Sequence, residues 1–222
     1  MLAATLILAA CGGSPQARSI TVTFVRHAES EANATGVLNT EVPGPGLTPE
    51  GKGQAEQVAH QLGRNNYDAV YASTMVRTQQ TAAPLAAELG KQVEVLGGLQ
   101  EIDAGRFEGK PVSMAPSTYL LAPADWLNGD LRDRIPGSIT GTEFNDRFTA
   151  AMQKIYNSGH GNPVVFSHQY AIEYWTAMNA KNAKDSLVTS HPLPNIGRVV
   201  ITGNPMTGWT LVDWDGIRNF TG

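Results

Sequence analysis

Short β-branched runs alternate with helical stretches along most of this chain, and that alternation constrains its fold more than any other feature. Residues 20–25, Ile-Thr-Val-Thr-Phe-Val, read as a buried strand that stops at Arg26 and His27. Thr48, Pro49 and Glu50 form a helix start, a capping hydroxyl followed by proline in the first turn, and the helix runs to about Gly63. The same reading gives a strand over 67–72, a helix over 75–89 closed by Gly90, and a strand over 93–96. Further along come a helix over 142–156, a strand over 162–167 ending at His168, a helix over 171–178, and strands over 197–202 and 209–214. Strands separated by helices predict a mostly parallel central sheet with helices on both faces, an α/β three-layer sandwich. Between about 105 and 141, Pro111, Pro116, Pro123 and Pro136 interrupt every run, which predicts a cap inserted over the sheet.

With 222 residues, 41% of them apolar, the chain has enough material for one sizeable domain, placed at 19–222. Sixteen basic against twenty acidic residues leave a net charge of −4, which argues against nucleic acid as a partner. A single cysteine excludes a disulfide framework and a four-thiolate zinc site. That cysteine carries its own signal. No charge occurs before Arg18, and residues 1–10 are an apolar run of signal-peptide length, too short to span a bilayer. Leu8-Ala9-Ala10-Cys11-Gly12 resembles a bacterial lipobox, in which the cysteine thiol takes a diacylglyceryl group. The resemblance implies that residues 1–18 are a lipoprotein signal and flexible tether. It also implies an exported protein held by a lipid on Cys11 at the outer face of a membrane. No Lys or Arg precedes the apolar run, which departs from the usual lipoprotein leader.

In open α/β sheets the ligand site lies beyond the carboxyl ends of the strands. Four such ends carry reactive side chains: Arg26 and His27, the segment from Ser73 to Arg77, Glu101, and His168. Two imidazoles, two guanidiniums and one carboxylate on one rim make an anion site with a built-in nucleophile. Guanidinium forks suit phosphate oxygens, a neutral imidazole attacks phosphorus, and Glu101 is a candidate proton donor to a leaving alkoxide.

These segments also form an ordered set. Val25-Arg26-His27 followed by Asn33 resembles the RHGxxxxN signature of the histidine phosphatase superfamily, in its phosphoglycerate mutase-like branch. Leu47-Thr48-Pro49-Glu50-Gly51 with Gln54 and Ala55 is similar to that family's next helix start. Ser73, Arg77, Thr78 and Thr81 are similar to its second arginine segment. Leu99, Glu101, Ile102, Gly105, Glu108 and Gly109 are similar to its acid segment, and Val164 to His168 to its second histidine.

The resemblance implies metal-independent hydrolysis of small phosphomonoesters, with His27 as the nucleophile that becomes phosphohistidine. Arg26, Arg77 and His168 would hold the phosphoryl group and stabilise its transition state, Asn33 would contact a phosphate oxygen, and Glu101 would protonate the leaving group. Guanidinium and imidazolium stand in for a metal, so neither metal nor cofactor is implied. Two positions depart from the family. Ala28 replaces the usual glycine, predicting a methyl beside the phosphate. Gln169 replaces the glycine after the second histidine, predicting a narrower pocket or an added amide contact.

The alternatives are phosphoryl transfer of the phosphoglycerate mutase type and a non-catalytic surface lipoprotein that binds a phospholigand. Glu29 and Glu108 are the second candidates for the acid. In the 105–141 segment, Arg132, Arg134, Tyr119 and Trp126 are read two ways, as contacts to the leaving group or as a solvated loop with packing aromatics. His60, His160 and His191 match no motif.

Overall fold

The computed structural model describes residues 17–220. The lipobox, Cys11 and nearly all of the tether lie outside the described residues. Six strands form one sheet: β1 (Ile20–Arg26), β2 (Ala69–Ala72), β3 (Val93–Val95), β4 (Pro163–Ser167), β5 (Arg198–Asn204) and β6 (Gly208–Trp214). Their order is β3-β2-β4-β1-β5-β6. The pairs β2–β3, β2–β4 and β1–β4 are parallel, whereas β5 runs antiparallel to both β1 and β6. The sheet is thus mostly parallel with an antiparallel hairpin closing one edge. A tight turn over 205–207 forces the antiparallel β5–β6 pairing, since parallel strands need a long crossover.

The helices are α1 (Glu31–Thr35), α2 (Pro49–Leu62), α3 (Val76–Glu88), α4 (Leu121–Leu127), α5 (Gly141–Asn157), α6 (Gln169–Asn179) and α7 (Ser186–Ser190). Strand alternation divides them between two faces. Ile20, Val22 and Phe24 of β1, with Tyr71 and Val165, point to the face covered by α5 and α6. There Phe24 meets Phe148 at 5.8 Å and Trp175 at 5.9 Å, and Phe148 stacks on Trp175 at 5.1 Å. Val25, Val70, Val164 and Phe166 point to the other face, against Val58 and Leu62 of α2 and Ala82 and Leu85 of α3.

The longer elements lie within a residue or two of their sequence expectations. The short helices α1, α4 and α7 did not stand out, because five to seven residues hold too few apolar positions for a period to show. The proline-rich segment contains two 3-10 turns, Gly105–Phe107 and Val112–Ser117, and then α4. Tyr119, Ala122, Trp126 and Ile135 from this segment are buried in the same core as α5 and α6.

Candidate active site

His27 follows the last residue of β1, and its orientation is set locally. Nδ1 donates to the carbonyl of Ala28 at 2.7 Å, because a carbonyl only accepts. The other nitrogen, Nε2, therefore carries the lone pair, and it accepts from Nε of Arg77 at 3.0 Å. Burial, with Arg77 and Arg26 close by, holds the His27 imidazole well below its usual pKa. The ring is neutral and its Nε2 lone pair points into a cationic site.

Arg77 comes from the first turn of α3. Its Nη1 and Nη2 donate to the side chain and carbonyl of Asn39, at 3.3 and 3.0 Å, and burial lowers its pKa to about 10. Arg26 is held by an Nη1 bond to the Leu193 carbonyl, while its buried Nε has no partner among the described residues. His168 precedes α6, and its ring sits edge-on to His27 at 5.2 Å. Ser73 Oγ bonds His168 Nε2 at 2.8 Å, and Nδ1 is buried without a partner among the described residues. Burial, Arg77 and His27 push the His168 pKa well down.

Glu101 is placed by the backbone. Oε1 accepts from the N–H groups of Ile102 and Ala171, both at 2.8 Å, and Oε2 accepts from Tyr170 N–H at 3.2 Å. The carboxylate thus caps α6, whose own cap residue His168 contributes no side-chain bond. Burial raises the Glu101 pKa, opposed by these donors and by Arg77.

Asn33 caps α1 reciprocally with Ser30, its Oδ1 accepting from Ser30 N–H at 3.1 Å. Asn195 Nδ2 donates to the His27 carbonyl at 3.0 Å and to Asn33 Oδ1 at 3.2 Å, tying the two loops together. Gln169 opens α6 and hydrogen-bonds Glu173, a buried carboxyl whose pKa burial raises to about 8. Oε1 of Glu173 accepts from Leu193 N–H at 2.6 Å.

A cavity of about 70 Å³ gathers Arg26, His27, Asn33, Arg77, Glu101 and Gln169. The fold therefore brings together the residues expected at the site, with the His168 ring directly behind His27. The expectation for Ala28 changes, and the residues read two ways are decided. The Ala28 methyl turns away from the cavity into a small cluster with Leu47 and Ala55, because Ala28 N–H is bound to Thr81 Oγ1 at 3.0 Å. Trp126 stacks on Phe144 in the core, and Arg132 and Arg134 are exposed beside Asp130 and Glu143, so none of these three reaches the cavity. Tyr119 does line it. Glu29 accepts from Thr48 Oγ1 and Glu108 from Thr40, so both alternative acids are engaged elsewhere.

Ser73, Asn39, Asn195 and Glu173 were assigned no role from the sequence. Only Ser73 lay inside a motif. Among the described residues, no group of three His, Cys, Asp or Glu side chains is placed to hold a metal ion.

A family model described as "Histidine phosphatase superfamily (branch 1)" matches residues 22–215. A PE-PGRS family protein of Mycobacterium tuberculosis is 44% identical over 222 residues; the match covers 93% of this chain but only 38% of that relative's length. Among solved structures, a mycobacterial glucosyl-3-phosphoglycerate phosphatase shares the fold with a TM-score of 0.72 at 17% identity, over 89% of this chain and all of that one. A phosphoserine phosphatase from Entamoeba histolytica aligns with a TM-score of 0.68 at 22% identity, over 89% of this chain and 98% of that one.

Proposed function

The chain belongs to the histidine phosphatase superfamily, and from that premise we propose that it hydrolyses small phosphomonoesters through a phosphohistidine on His27. The observation that carries this reading is the tautomer of His27, with Nδ1–H fixed on the Ala28 carbonyl and the Nε2 lone pair facing Arg77.

In the first step Nε2 attacks phosphorus, the N–P bond forms and the P–O bond to the alcohol breaks. The Arg77 Nε–H that occupies the lone pair in the free site turns to a phosphoryl oxygen. Arg26, Arg77 and the His168 imidazole, with Asn33 beside them, meet the charge on the equatorial oxygens, the electrostatic solution usual for phosphoryl transfer. The departing alkoxide takes a proton from the Glu101 carboxyl, whose raised pKa supports a protonated fraction. Water then attacks the phosphohistidine, giving its proton back to Glu101, and phosphate leaves with His27 neutral again.

Replacing His27 with alanine is expected to lower hydrolysis of p-nitrophenyl phosphate by at least about 10³-fold with the fold retained. Acid-labile, base-stable phosphate labelling should vanish with it. Labelling that survives the substitution overturns His27 as the nucleophile. Isomerisation of 3-phosphoglycerate faster than phosphate release would favour the mutase alternative. Intact phosphate binding without turnover would favour the binding protein.

The lipobox-like run ending at Cys11 supports the further reading that the enzyme is exported and works from a lipid anchor at the outer membrane face.

A further inference from the structure

The catalytic cavity has a cationic floor and an uncharged wall. Beyond Arg26, His27, Arg77 and Glu101 its lining side chains carry no charge, the polar Asn39, Thr40 and Gln169 standing beside the apolar Val37, Leu38 and Val112 and the phenols of Tyr119 and Tyr170. The Tyr119 hydroxyl donates to the Ile102 carbonyl at 2.6 Å, and burial holds its pKa far above the usual value, so it stays neutral. Val112 and Met114, 37% and 45% exposed in one 3-10 turn, carry the apolar surface outward.

Both arginines are committed to the phosphoryl end, Arg77 by His27 and Asn39 and Arg26 by Leu193. A second anionic group on the leaving alcohol finds no cation of its own in this cavity. A neighbouring cavity of about 560 Å³ shares Thr40 and Glu101 with it. There, besides the Glu101 carboxyl, three carboxylates, Glu41, Asp103 and Glu108, face two guanidiniums, Arg106 and Arg147. Nη2 of Arg147 already serves the carbonyls of Gln100 and Glu101, at 3.0 and 3.1 Å. An anion that runs past Glu101 therefore meets net negative charge. An ion taken out of water without a partner costs far more than apolar contact returns.

We propose that this site selects phosphomonoesters of uncharged alcohols and rejects alcohols that carry a carboxylate or a second phosphate. The proposal rests on the phosphatase reading and specifies its substrate class. The net negative charge of the neighbouring cavity repels an anion and does not repel a neutral group.

The test compares phenyl phosphate with 4-carboxyphenyl phosphate in the wild-type chain. The carboxylated phenol is the slightly better leaving group, so chemistry alone favours the anionic ester. The expected result is a kcat/KM about 10²-fold higher for phenyl phosphate. Val112→Arg, which adds a cation to the wall, is expected to narrow that ratio at least about tenfold by raising turnover of the carboxylated ester. Titration with phenylphosphonate and 4-phosphonobenzoate reads the same preference without any bond being broken. Equal turnover of the two esters overturns the selectivity and leaves the phosphatase standing. Preferential binding of phenylphosphonate with no turnover of either ester overturns the phosphatase and keeps the selectivity. Failure to bind either phosphonate or turn over either ester overturns both.

Discussion

Glu101 caps the N-terminus of α6 and, in the proposed mechanism, also protonates the leaving group. Three backbone donors and the helix dipole favour its charged form, while burial favours the acid, and the net shift is upward. Glu101→Gln removes the proposed proton donor and turns an amide N–H₂ toward the Tyr170 N–H. Hydrolysis of an alkyl phosphate should fall by about 10²–10⁴-fold, while p-nitrophenyl phosphate, whose leaving group needs little help, should lose much less. The same variant should lose about 1–3 kcal/mol of stability in denaturant melts, from the backbone donor left unpaired. Equal losses on the two esters would reduce Glu101 to a positioning residue. Glu173 makes a pH-dependent prediction. Its pKa rises from an ordinary 4.5 to about 8 on burial. Between those values the native state holds a proton that the unfolded chain has released, so stability is highest below the lower value and falls as pH climbs to the upper. Glu173→Gln mimics the neutral form and should raise the Tm at about pH 8 while leaving it nearly unchanged at about pH 4.5. An unchanged Tm difference across that range would show that Glu173 is ionised in the native state throughout.

At the scale of elements, α2 is docked on the loop that carries His27. Thr48 N–H donates to the Glu29 carbonyl at 3.1 Å, and Gln54 Oε1 accepts from Glu29 N–H at 2.8 Å. The approach is close enough that a Cβ at Gly51 would lie 2.0 Å from the Glu29 carbonyl oxygen. Gly51→Ala must therefore push α2 away from a segment two residues past His27. The expected cost is about 1–3 kcal/mol of stability. A displacement of the His27 loop approaching an ångström should also lower kcat by about 10²-fold. Wild-type activity in a stably folded Gly51→Ala variant would mean that the loop holds its place without α2. The α6 terminus shows the same dependence from another direction, since its capping carboxylate arrives from a loop about 70 residues earlier in the chain.

At the scale of the molecule, the described residues form one sheet with a core on each face and the cavity at the carboxyl ends of β1 and β4. Among them no helix is long and apolar enough to cross a membrane, and the proposed lipid anchor on Cys11 has its own test. Expressed from its own locus, the wild-type protein is expected in the detergent phase of a Triton X-114 extraction, and Cys11→Ser in the aqueous phase. Wild-type protein in the aqueous phase would remove the anchor from the account.

The sequence by itself determined the strand ends, the principal helices and most of the residues that gather at the cavity, because each has a local cause. A β-branched run stops where Arg26 and His27 begin, a threonine and a proline open α2, and reactive side chains at strand ends mark one rim of an α/β sheet. What only the tertiary structure decided depends on segments that are distant in the chain. Asn195 reaches the His27 carbonyl across 168 positions, and Ser73 orients His168 across 95. The direction of the Ala28 methyl followed from its N–H bond to Thr81, which no local pattern encodes. Trp126 could be read from the sequence as a leaving-group contact or as a packing aromatic, and the fold decides for the core, since its burial depends on α5 packing beside it. The uncharged wall belongs to the same class, because its residues come from three separate stretches of chain that only folding brings to one surface. Hydrogen bonds and apolar contacts act over a few ångströms, so the chain's own order foretells only the contacts that sequence neighbours can make.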